Sequence, residues 1–270
     1  MELVVPFRDK LRRGQVCLGT CVTFGDPTVT EALADALDFV WIDTEHNPLS
    51  LADVQGHILA TKGTGTTALV RVPWNDPVLI KPVLDIGAAG VIVPLVRTAE
   101  DVRRAVAACR YPPEGVRGYG PRRPSNYGRS GGPDYIKAAN AAVLPIAQIE
   151  HVEAVNNIDE ILAVPGLATV VIGPQDLAGS LGHPAEPRHP DVLRAIDTVL
   201  ARGQKAGVPV GLAIGGEADE YVRWVRKGVG WLSVGSDFWL LLRSVSQLTT
   251  AIREQTQHRE PAGARPGGER

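Results

Sequence analysis

The feature that most constrains the fold of this chain is an alternation of short apolar runs with longer amphipathic stretches. The short runs are rich in β-branched residues, as buried strands are. They occur at residues 16–20, 38–43, 67–72, 90–94, 143–149, 168–172, 208–213 and 230–234. Helical patterns occupy residues 27–37, 50–61, 77–86, 98–109, 152–162, 190–206, 218–227 and 237–254. The alternation therefore predicts eight strand–helix units, the number in a closed parallel barrel.

An open, doubly wound sheet is the alternative fold for such an alternation. That fold usually carries a glycine-rich phosphate-binding loop after its first strand. The sequence around the end of the first run, LGTCVTFGDP, contains no GxGxxG motif. We therefore predict an α/β fold, a (β/α)₈ TIM barrel, over residues 1–255. The polar, Gly- and Pro-rich residues 256–270 are expected to form a disordered tail.

Net charge and composition argue against nucleic acid or a membrane as the partner of this chain. A formal net charge of -2 gives no reason to expect nucleic acid or an anionic membrane surface. No apolar run approaches the roughly 20 residues that a transmembrane helix needs, and we see no secretory signal at residues 1–14. Cys17 and Cys21 have a zinc-like spacing, but no second pair follows, so we interpret them as strand residues. These features predict a cytoplasmic protein.

One segment interrupts the alternation. Residues 111–133, YPPEGVRGYGPRRPSNYGRSGGP, are dense in Gly, Pro and Arg. A loop of this length within a compact domain is usually functional or disordered, and its tyrosines and arginines favour a packed, functional loop. Two roles remain open for Arg117, Arg122 and Arg123, namely binding the distal carboxylate of a substrate or bridging subunits.

The candidate functional residues lie where the predicted strands end, because the active sites of parallel barrels lie at the carboxyl ends of their strands. Polar groups at these ends are Asp43, Glu45, His46, Arg71, Gln148, Glu150 and Asp176. The stretch DTEHNP also has a purely structural interpretation, a turn that leads into a helix capped by Ser50.

Glu150 and Asp176 predict a metal site. Two carboxylates from adjacent strands, with few other protein ligands, suit a hard divalent ion with open positions for water and substrate. Alternatively, Glu150 could form a structural salt bridge with Arg71, and Asp176 could cap a helix. None of the six lysines falls at the carboxyl end of a predicted strand, which disfavours Schiff-base chemistry.

Several longer stretches resemble the HpcH/HpaI family of metal-dependent class II aldolases. They include FVWIDTEHNP, RYPPEGVRGYGPRR, QIEHVEAVNNIDEIL and VVIGPQDLAGSLG, and with others they cover most of residues 15–240 in order. The resemblance implies that Glu150 and Asp176 bind the metal and that Arg71 contacts the oxygens of a keto acid. It also implies that His46 is the catalytic base and Asp85 its partner in a His–Asp pair.

The same resemblance gives further expectations for the substrate site and the assembly. Backbone amides after Gly173 and Pro174 would hold the carboxylate of pyruvate, with Gln148, Gln175 and Asp176 around the substrate. Gln175 stands where small residues are common in that family, so the sequence departs from the family pattern at the rim of the pocket. The resemblance also implies a homo-hexamer or trimer whose barrels exchange their last helix.

These expectations predict a lyase that cleaves a 4-hydroxy-2-oxo acid reversibly to pyruvate and an aldehyde. A divalent ion, Mg²⁺, Mn²⁺ or Co²⁺, would stabilise the enolate as a Lewis acid. The alternatives are a citrate-lyase-like or malyl-CoA-lyase-like enzyme, which would need a site for a CoA thioester, and a barrel that binds a keto acid without turnover.

Overall fold

Eight parallel strands close into a barrel in the order β1 to β8, with β8 paired to β1. The computed structural model describes residues 5–256. The strands are β1 Cys17–Val22, β2 Phe39–Asp43, β3 Thr67–Arg71, β4 Gly90–Val93, β5 Leu144–Ile149, β6 Thr169–Ile172, β7 Val210–Ala213 and β8 Trp231–Ser236. The predicted (β/α)₈ TIM barrel is thus confirmed. We call the end at which the strands finish the upper end of the barrel.

Twelve helices accompany the strands within residues 5–256. They are α1 Pro6–Arg12, α2 Thr28–Ala34, α3 Leu51–Ala60, α4 Pro77–Asp85, α5 Ala99–Cys109, α6 Gly132–Ala142, α7 Val152–Asn156, α8 Ile158–Leu162, α9 Pro174–Ser180, α10 Pro190–Ala206, α11 Ala218–Arg226 and α12 Asp237–Thr256. Among these helices, none is both long and apolar enough to cross a membrane. The predicted disordered tail lies outside the described residues from residue 257 onward.

The sequence patterns do not predict three of these helices. Helices α1 and α9 have only seven residues each, too few for an apolar periodicity to stand out. Helix α6 begins inside the Gly- and Pro-rich segment that we interpreted as a loop. In addition, the single helix predicted over residues 152–162 is broken at Asn157 into α7 and α8.

The alternation of side chains along each strand separates two apolar cores. Val40, Val70 and Val170 point outward and belong to the core between the strands and the surrounding helices. The residues next to them, including Trp41, Leu69 and Val171, point into the barrel and form a second core there. A residue two positions beyond an inward-pointing residue also points inward, which matters for the site described below.

Aromatic rings close the lower end of the barrel. Phe7 of α1 packs edge-on against Phe39 and Trp231, with ring centroids 5.3 and 5.4 Å away. Trp231 fits because residue 211 on the neighbouring strand is glycine: a Cβ there would lie 2.1 Å from the indole ring. This filled base leaves the upper end as the open end of the barrel interior.

Candidate active site

A layer of polar side chains lies directly above the inner apolar core. Asp43, Arg71 and Gln148 each follow an inward-pointing apolar residue by two positions, so all three point into the barrel at its upper end. All three are buried. Buried polar groups need partners, and the partners that they find define the site.

Arg71 is held by two carboxylates. Its Nε donates a 2.8 Å hydrogen bond to Oδ1 of Asp43, and its Nη1 lies 3.0 Å from Oε2 of Glu45. Burial by itself would lower the pKa of Arg71, but the hydrogen bond and charge of Asp43, with the charge of Glu45, raise it above its ordinary value. The guanidinium also lies over the ring of Trp41, 5.2 Å from its centroid. Arg71 is therefore a permanent positive charge in a fixed position. It lines a cavity at the upper end of the barrel, which is described below.

The turn after β2 is structural and also presents His46. Asp43 accepts hydrogen bonds from the backbone N–H of Glu45 (3.1 Å) and from Nδ2 of Asn47 (2.7 Å). Ser50 then caps α3, as the structural interpretation of this stretch predicts. His46 is 60% exposed, and its Nε2 lies 3.6 Å from Oε2 of Glu45. The two interpretations of DTEHNP are thus compatible, because a rigid turn places the imidazole at the cavity.

Glu150 is a buried carboxylate that no cationic side chain pairs with among residues 5–256. Its Oε1 accepts a 2.6 Å hydrogen bond from the backbone N–H of Leu95, and its Oε2 accepts one from Nε2 of Gln148. Burial raises the pKa of Glu150 to about 7, and the charges of Glu45 and Asp176 act in the same direction. The alternative of a Glu150–Arg71 salt bridge is wrong.

The end of β6 brings Asp176 to the same cavity. Gly173 immediately precedes α9, and a Cβ at this position would lie 2.8 Å from both Nε2 of Gln148 and Oε2 of Glu150. Only glycine permits this approach without displacing them. Asp176 lies in the first turn of α9 and is exposed, and no side chain forms a hydrogen-bonded cap for this helix. The sequence allowed Asp176 to be a helix cap, but its carboxylate does not cap α9.

One cavity of about 440 Å³ at the upper end collects most of the predicted residues. Its lining includes His46, Arg71, Gln148, Gly173, Pro174, Gln175 and Asp176. The sequence did not predict a role in this site for Cys21, Trp41, Ser233 or Trp239, which also line it. Inward alternation along β1, β2 and β8 could have indicated the first three of these residues. Trp239 lies on α12, whose position over the cavity depends on the tertiary structure.

Asp85 does not pair with His46 within the chain. Asp85 is the last residue of α4, and its Oδ1 accepts a 2.8 Å hydrogen bond from Nη2 of Arg117. Helix α4 starts at the upper end, after β3, and runs down to the start of β4, so its last residue lies at the lower end. The expected His46–Asp85 pair is therefore impossible between residues of one barrel.

The arginines of the loop between α5 and α6 share this lower position. Arg117 pairs with Asp85 and stacks over the ring of Tyr111 at 4.4 Å. Arg123 lies beside Gly87, in the connection between α4 and β4. Because this loop connects the lower end of α5 to β5, these arginines cannot bind a substrate in the upper cavity of their own chain.

The two carboxylates predicted as metal ligands lie at or beside the upper cavity: Asp176 lines it, and Glu150 adjoins two of its lining residues, Gly173 and Gln148. Both carboxylates would supply oxygen ligands, which hard cations prefer. Oε1 of Gln148 and Nε1 of Trp41 are buried without a hydrogen-bond partner among residues 5–256, and both residues line the cavity, so polar groups remain there to bind a ligand. Burial also raises the pKa of Glu45, which Arg71 partly counteracts. A cation would compensate for the clustered negative charge, so the residues fit a bound divalent ion.

A second group of possible ligands fits a metal less well. His183, His189 and Asp191 form the one trio of His, Cys, Asp or Glu ligand atoms within 4.8 Å of each other among residues 5–256. The two imidazole rings, however, are stacked, with centroids 3.4 Å apart and planes at 17°. Nearly parallel rings cannot both direct an in-plane lone pair at one ion. Nε2 of His183 is already hydrogen-bonded to Asp191 at 2.9 Å.

Comparisons with known proteins agree with this fold. A family model described as HpcH/HpaI aldolase/citrate lyase matches residues 26–243. The chain is 37% identical over 252 residues to a 5-keto-4-deoxy-D-glucarate aldolase from Klebsiella pneumoniae, an alignment that covers 92% of this chain and 96% of the relative.

Solved structures are similar over nearly the whole chain. A crystal structure of an HpcH/HpaI aldolase/citrate lyase family protein from Burkholderia cenocepacia J2315 matches with a TM-score of 0.88 at 34% identity and covers 93% of this chain and 100% of that one. The crystal structure of the citrate synthase SbnG matches with a TM-score of 0.82 at 30% identity, covering 92% and 97%. One barrel framework thus occurs in proteins named for two different reactions.

Proposed function

The chain is a carbon–carbon lyase of the HpcH/HpaI aldolase/citrate lyase family, and from this we propose that it cleaves a 4-hydroxy-2-oxo acid reversibly to pyruvate and an aldehyde. Aldolases of this family depend in general on a divalent metal ion. The observation that carries the proposal is the meeting, in one cavity, of the fixed cation Arg71 with the acid Asp176, beside buried Glu150.

Glu150 and Asp176 would hold the divalent ion, which we propose to be Mg²⁺, Mn²⁺ or Co²⁺. When bound, such an ion polarises the carbonyl of a 2-oxo acid as a Lewis acid. The first-turn amides of α9, at Gln175 and Asp176, have no acceptor within the helix and would donate to the carboxylate of the same acid. Gln148 also lines the cavity, and its Oε1 has no hydrogen-bond partner among the described residues.

His46 and Arg71 would act on different groups of the substrate, His46 on the hydroxyl of C4 and Arg71 on the oxygen of C2. His46 takes the proton from the hydroxyl on C4, and the C3–C4 bond then breaks as the aldehyde carbonyl forms. The electron pair of that bond passes to C3 and is delocalised onto the oxygen of C2. Arg71 stabilises this negative charge from its fixed position. Protonation of C3 then gives pyruvate.

We propose 5-keto-4-deoxy-D-glucarate as the first substrate to test, because the Klebsiella relative named for that compound is 37% identical over 92% of this chain. Cleavage of its C–C bond by the route above would release pyruvate and a three-carbon aldehyde acid. The test is pyruvate release from a panel of 4-hydroxy-2-oxo acids, with metal, after exhaustive chelation, and after metal is restored.

Metal-dependent pyruvate release from any member of the panel would support the aldolase reaction. Full activity in excess chelator, with no metal by elemental analysis, would contradict the proposed metal site. Release of a CoA thioester product in place of pyruvate would instead favour the citrate-lyase-like or malyl-CoA-lyase-like alternative. Binding of pyruvate without turnover of any substrate would favour the non-catalytic alternative.

We further propose that the chain assembles with copies of itself through α12. This helix has 20 residues, and among them only Asp237 is buried. Its exposed apolar residues recur at helical spacing and form one stripe, made up of Phe238, Leu241, Leu242, Val245, Leu248 and Ile252. A continuous exposed apolar stripe of this kind is characteristic of an interface between protein chains. A homo-hexamer or trimer with exchanged last helices would cover it.

Assembly would also explain Asp85. Because Asp85 lies at the lower end of its own barrel, it could pair with His46 only across an interface between chains. We propose that Asp85 of a neighbouring copy approaches His46 in the assembly. Arg117 would accompany it, since the two side chains are hydrogen-bonded. This arrangement keeps the roles implied by the family resemblance and agrees with the topology of the barrel.

A further inference from the structure

A second cavity, of about 500 Å³, lies at the lower end of the barrel, opposite the candidate active site. Leu144 and Thr169, the first residues of β5 and β6, form part of its wall. Helix α1 covers one side with Phe7 and Leu11. None of the residues assigned to the proposed reaction lines this cavity.

Three arginines line this lower cavity: Arg8 and Arg12 of α1, and Arg110 at the end of α5. Nη1 of Arg8 donates a 2.8 Å hydrogen bond to the carbonyl of Ala141, and Nη2 of Arg110 donates a 3.4 Å bond to that of Gly166. Both guanidinium groups are therefore positioned by the backbone of the cavity wall.

The Nε atoms of Arg8 and Arg110 are both buried and have no hydrogen-bond partner in the part of the chain that the structure describes. Two carboxylates among the described residues make long contacts with these groups: Asp9 lies 3.6 Å from Nε of Arg8, and Glu114 lies 3.9 Å from Nη1 of Arg110. Glu114 is moreover half exposed. Buried N–H groups in native proteins nearly always have an acceptor, so within residues 5–256 the guanidinium groups at this cavity are only partly paired.

We propose that the lower cavity binds the phosphate group of a small molecule. Guanidinium groups form paired hydrogen bonds with oxyanions, and arginine is the residue that most often recognises them. Three cations from two separate helices suit a dianion with oxygens pointing in several directions better than the two coplanar oxygens of one carboxylate. The bound group would connect α1 to the end of α5 and strengthen the closed base of the barrel.

Calorimetric titration of the metal-loaded protein with inorganic phosphate tests this proposal. Arg110→Met removes the charge and its donors while keeping the aliphatic stem. We expect the Kd for phosphate to rise by about tenfold to a hundredfold, the usual effect of losing a charge-assisted hydrogen bond. Arg103→Met is the matched control, because Arg103 lies on the same helix, is exposed and pairs with Glu100. It should leave the Kd unchanged.

Arg8→Met provides an independent variant from the other helix and should also raise the Kd. If Arg110→Met fails to fold, as judged by circular dichroism, Arg8→Met decides the question alone. Phosphate affinity that is the same in the wild-type protein and in a folded Arg8 or Arg110 variant would overturn the proposal, as would no saturable binding to the wild-type protein. Arginine-dependent binding of malonate without binding of phosphate would assign the cavity to dicarboxylates and overturn the phosphate class.

Discussion

Asp43 and Arg71 occupy paired positions on adjacent strands, and their side chains meet inside the barrel. The register places residue 43 of β2 opposite residue 71 of β3, and the hydrogen bond between Oδ1 and Nε is 2.8 Å long. Both side chains are buried, and the carboxylate holds the guanidinium in one position. The cation is therefore already in place when negative charge develops in the reaction, and no reorganisation is needed to bring it there. This pair is the rigid base of the proposed catalytic cavity.

Replacing Arg71 tests whether its position serves the reaction. We expect Arg71→Ala to lower kcat/KM by about 10²–10³-fold, the usual loss when one oxyanion-stabilising group is removed. Arg71→Lys should restore little of the activity, because one ammonium cannot contact Asp43 and Glu45 as the guanidinium does. Steady-state kinetics on folded variants make the comparison. A fall of less than about threefold for Arg71→Ala would remove this residue from the mechanism.

The buried carboxylate of Glu150 predicts how metal binding depends on pH. In the metal-free protein burial raises its pKa to about 7, so a proton competes with the ion below that pH. Affinity for Mn²⁺ should therefore fall by up to about tenfold per pH unit as the pH drops below about 7, and should level off above it. Titrations from pH 5.5 to 8.5 measure this. A flat profile would show that Glu150 is already ionised without metal.

The same shift affects the stability of the metal-free protein. The folded pKa of Glu150 is above its unfolded value, so the folded state holds the proton more tightly and the stabilisation is greatest at low pH. That contribution is lost as the pH rises through about 7. Glu150→Gln cannot titrate, so in excess chelator its unfolding free energy should rise relative to wild type between pH 5 and pH 8. A constant difference between the two proteins over this range would contradict the raised pKa.

His46 is expected to act in the reaction and to contribute little to stability. Its side chain is 60% exposed, and its contact with Glu45 is long at 3.6 Å. We expect His46→Ala to lower kcat by about 10²–10⁴-fold, the range for a positioned general base. Metal content and Tm should stay near wild type. Near-normal turnover of the folded, metal-loaded variant would leave the turn with only its structural role.

Mixed assemblies can show whether Asp85 acts across an interface. If Asp85 of one copy serves His46 of another, both His46→Ala and Asp85→Asn assemblies lose activity. Assemblies that contain both variants then regain part of it, because some sites combine an intact His46 with an intact Asp85 from a neighbour. Co-expression with two affinity tags isolates these mixed assemblies. Absence of recovery would argue against a shared site.

Gly173 offers a test of the geometry around Glu150. A Cβ at this position would lie 2.8 Å from Oε2 of Glu150, so Gly173→Ala should displace the carboxylate and weaken metal binding by at least about tenfold. Gly179→Ala, on the same helix, is the matched control because its Cβ would meet nothing within 4 Å. That control should be as stable as wild type or slightly more stable. Equal metal affinities in the two variants would show that Glu150 does not depend on this close approach.

The apolar stripe of α12 predicts an oligomer. Leu241→Glu combined with Leu248→Glu places two charges on the stripe and should shift the protein to smaller species in light-scattering chromatography. Gln247→Glu, an exposed residue on the opposite face of the same helix, should leave the assembly intact. A wild-type protein that is monomeric at all concentrations would contradict the proposed interface.

The residue sequence was sufficient to predict the barrel and the groups at its upper end. Side-chain burial follows the local periodicity of a strand or helix, which is encoded in neighbouring residues. Eight such units specify a closed parallel barrel, and its topology brings all strand ends to one side. For this reason His46, Arg71 and Asp176 could be expected around one cavity although more than 100 positions separate the first from the last.

The local sequence pattern could not predict which hydrogen-bond partners these groups have. Asp43 rather than Glu150 holds Arg71, because the choice depends on the register of β2 and β3. Glu150 receives instead the backbone N–H of Leu95, a residue with a positive φ of 52° in the connection after β4.

Asp85 shows the limit of sequence reasoning most clearly. Its motif implies a role beside His46, yet the downward course of α4 places it at the opposite end of its own barrel. Local sequence thus determined which residues are buried, which strands end in polar groups and how many units close the barrel. Only the tertiary structure decided which of those groups touch, because contacts between residues distant in the chain depend on strand register and on the direction in which each helix runs.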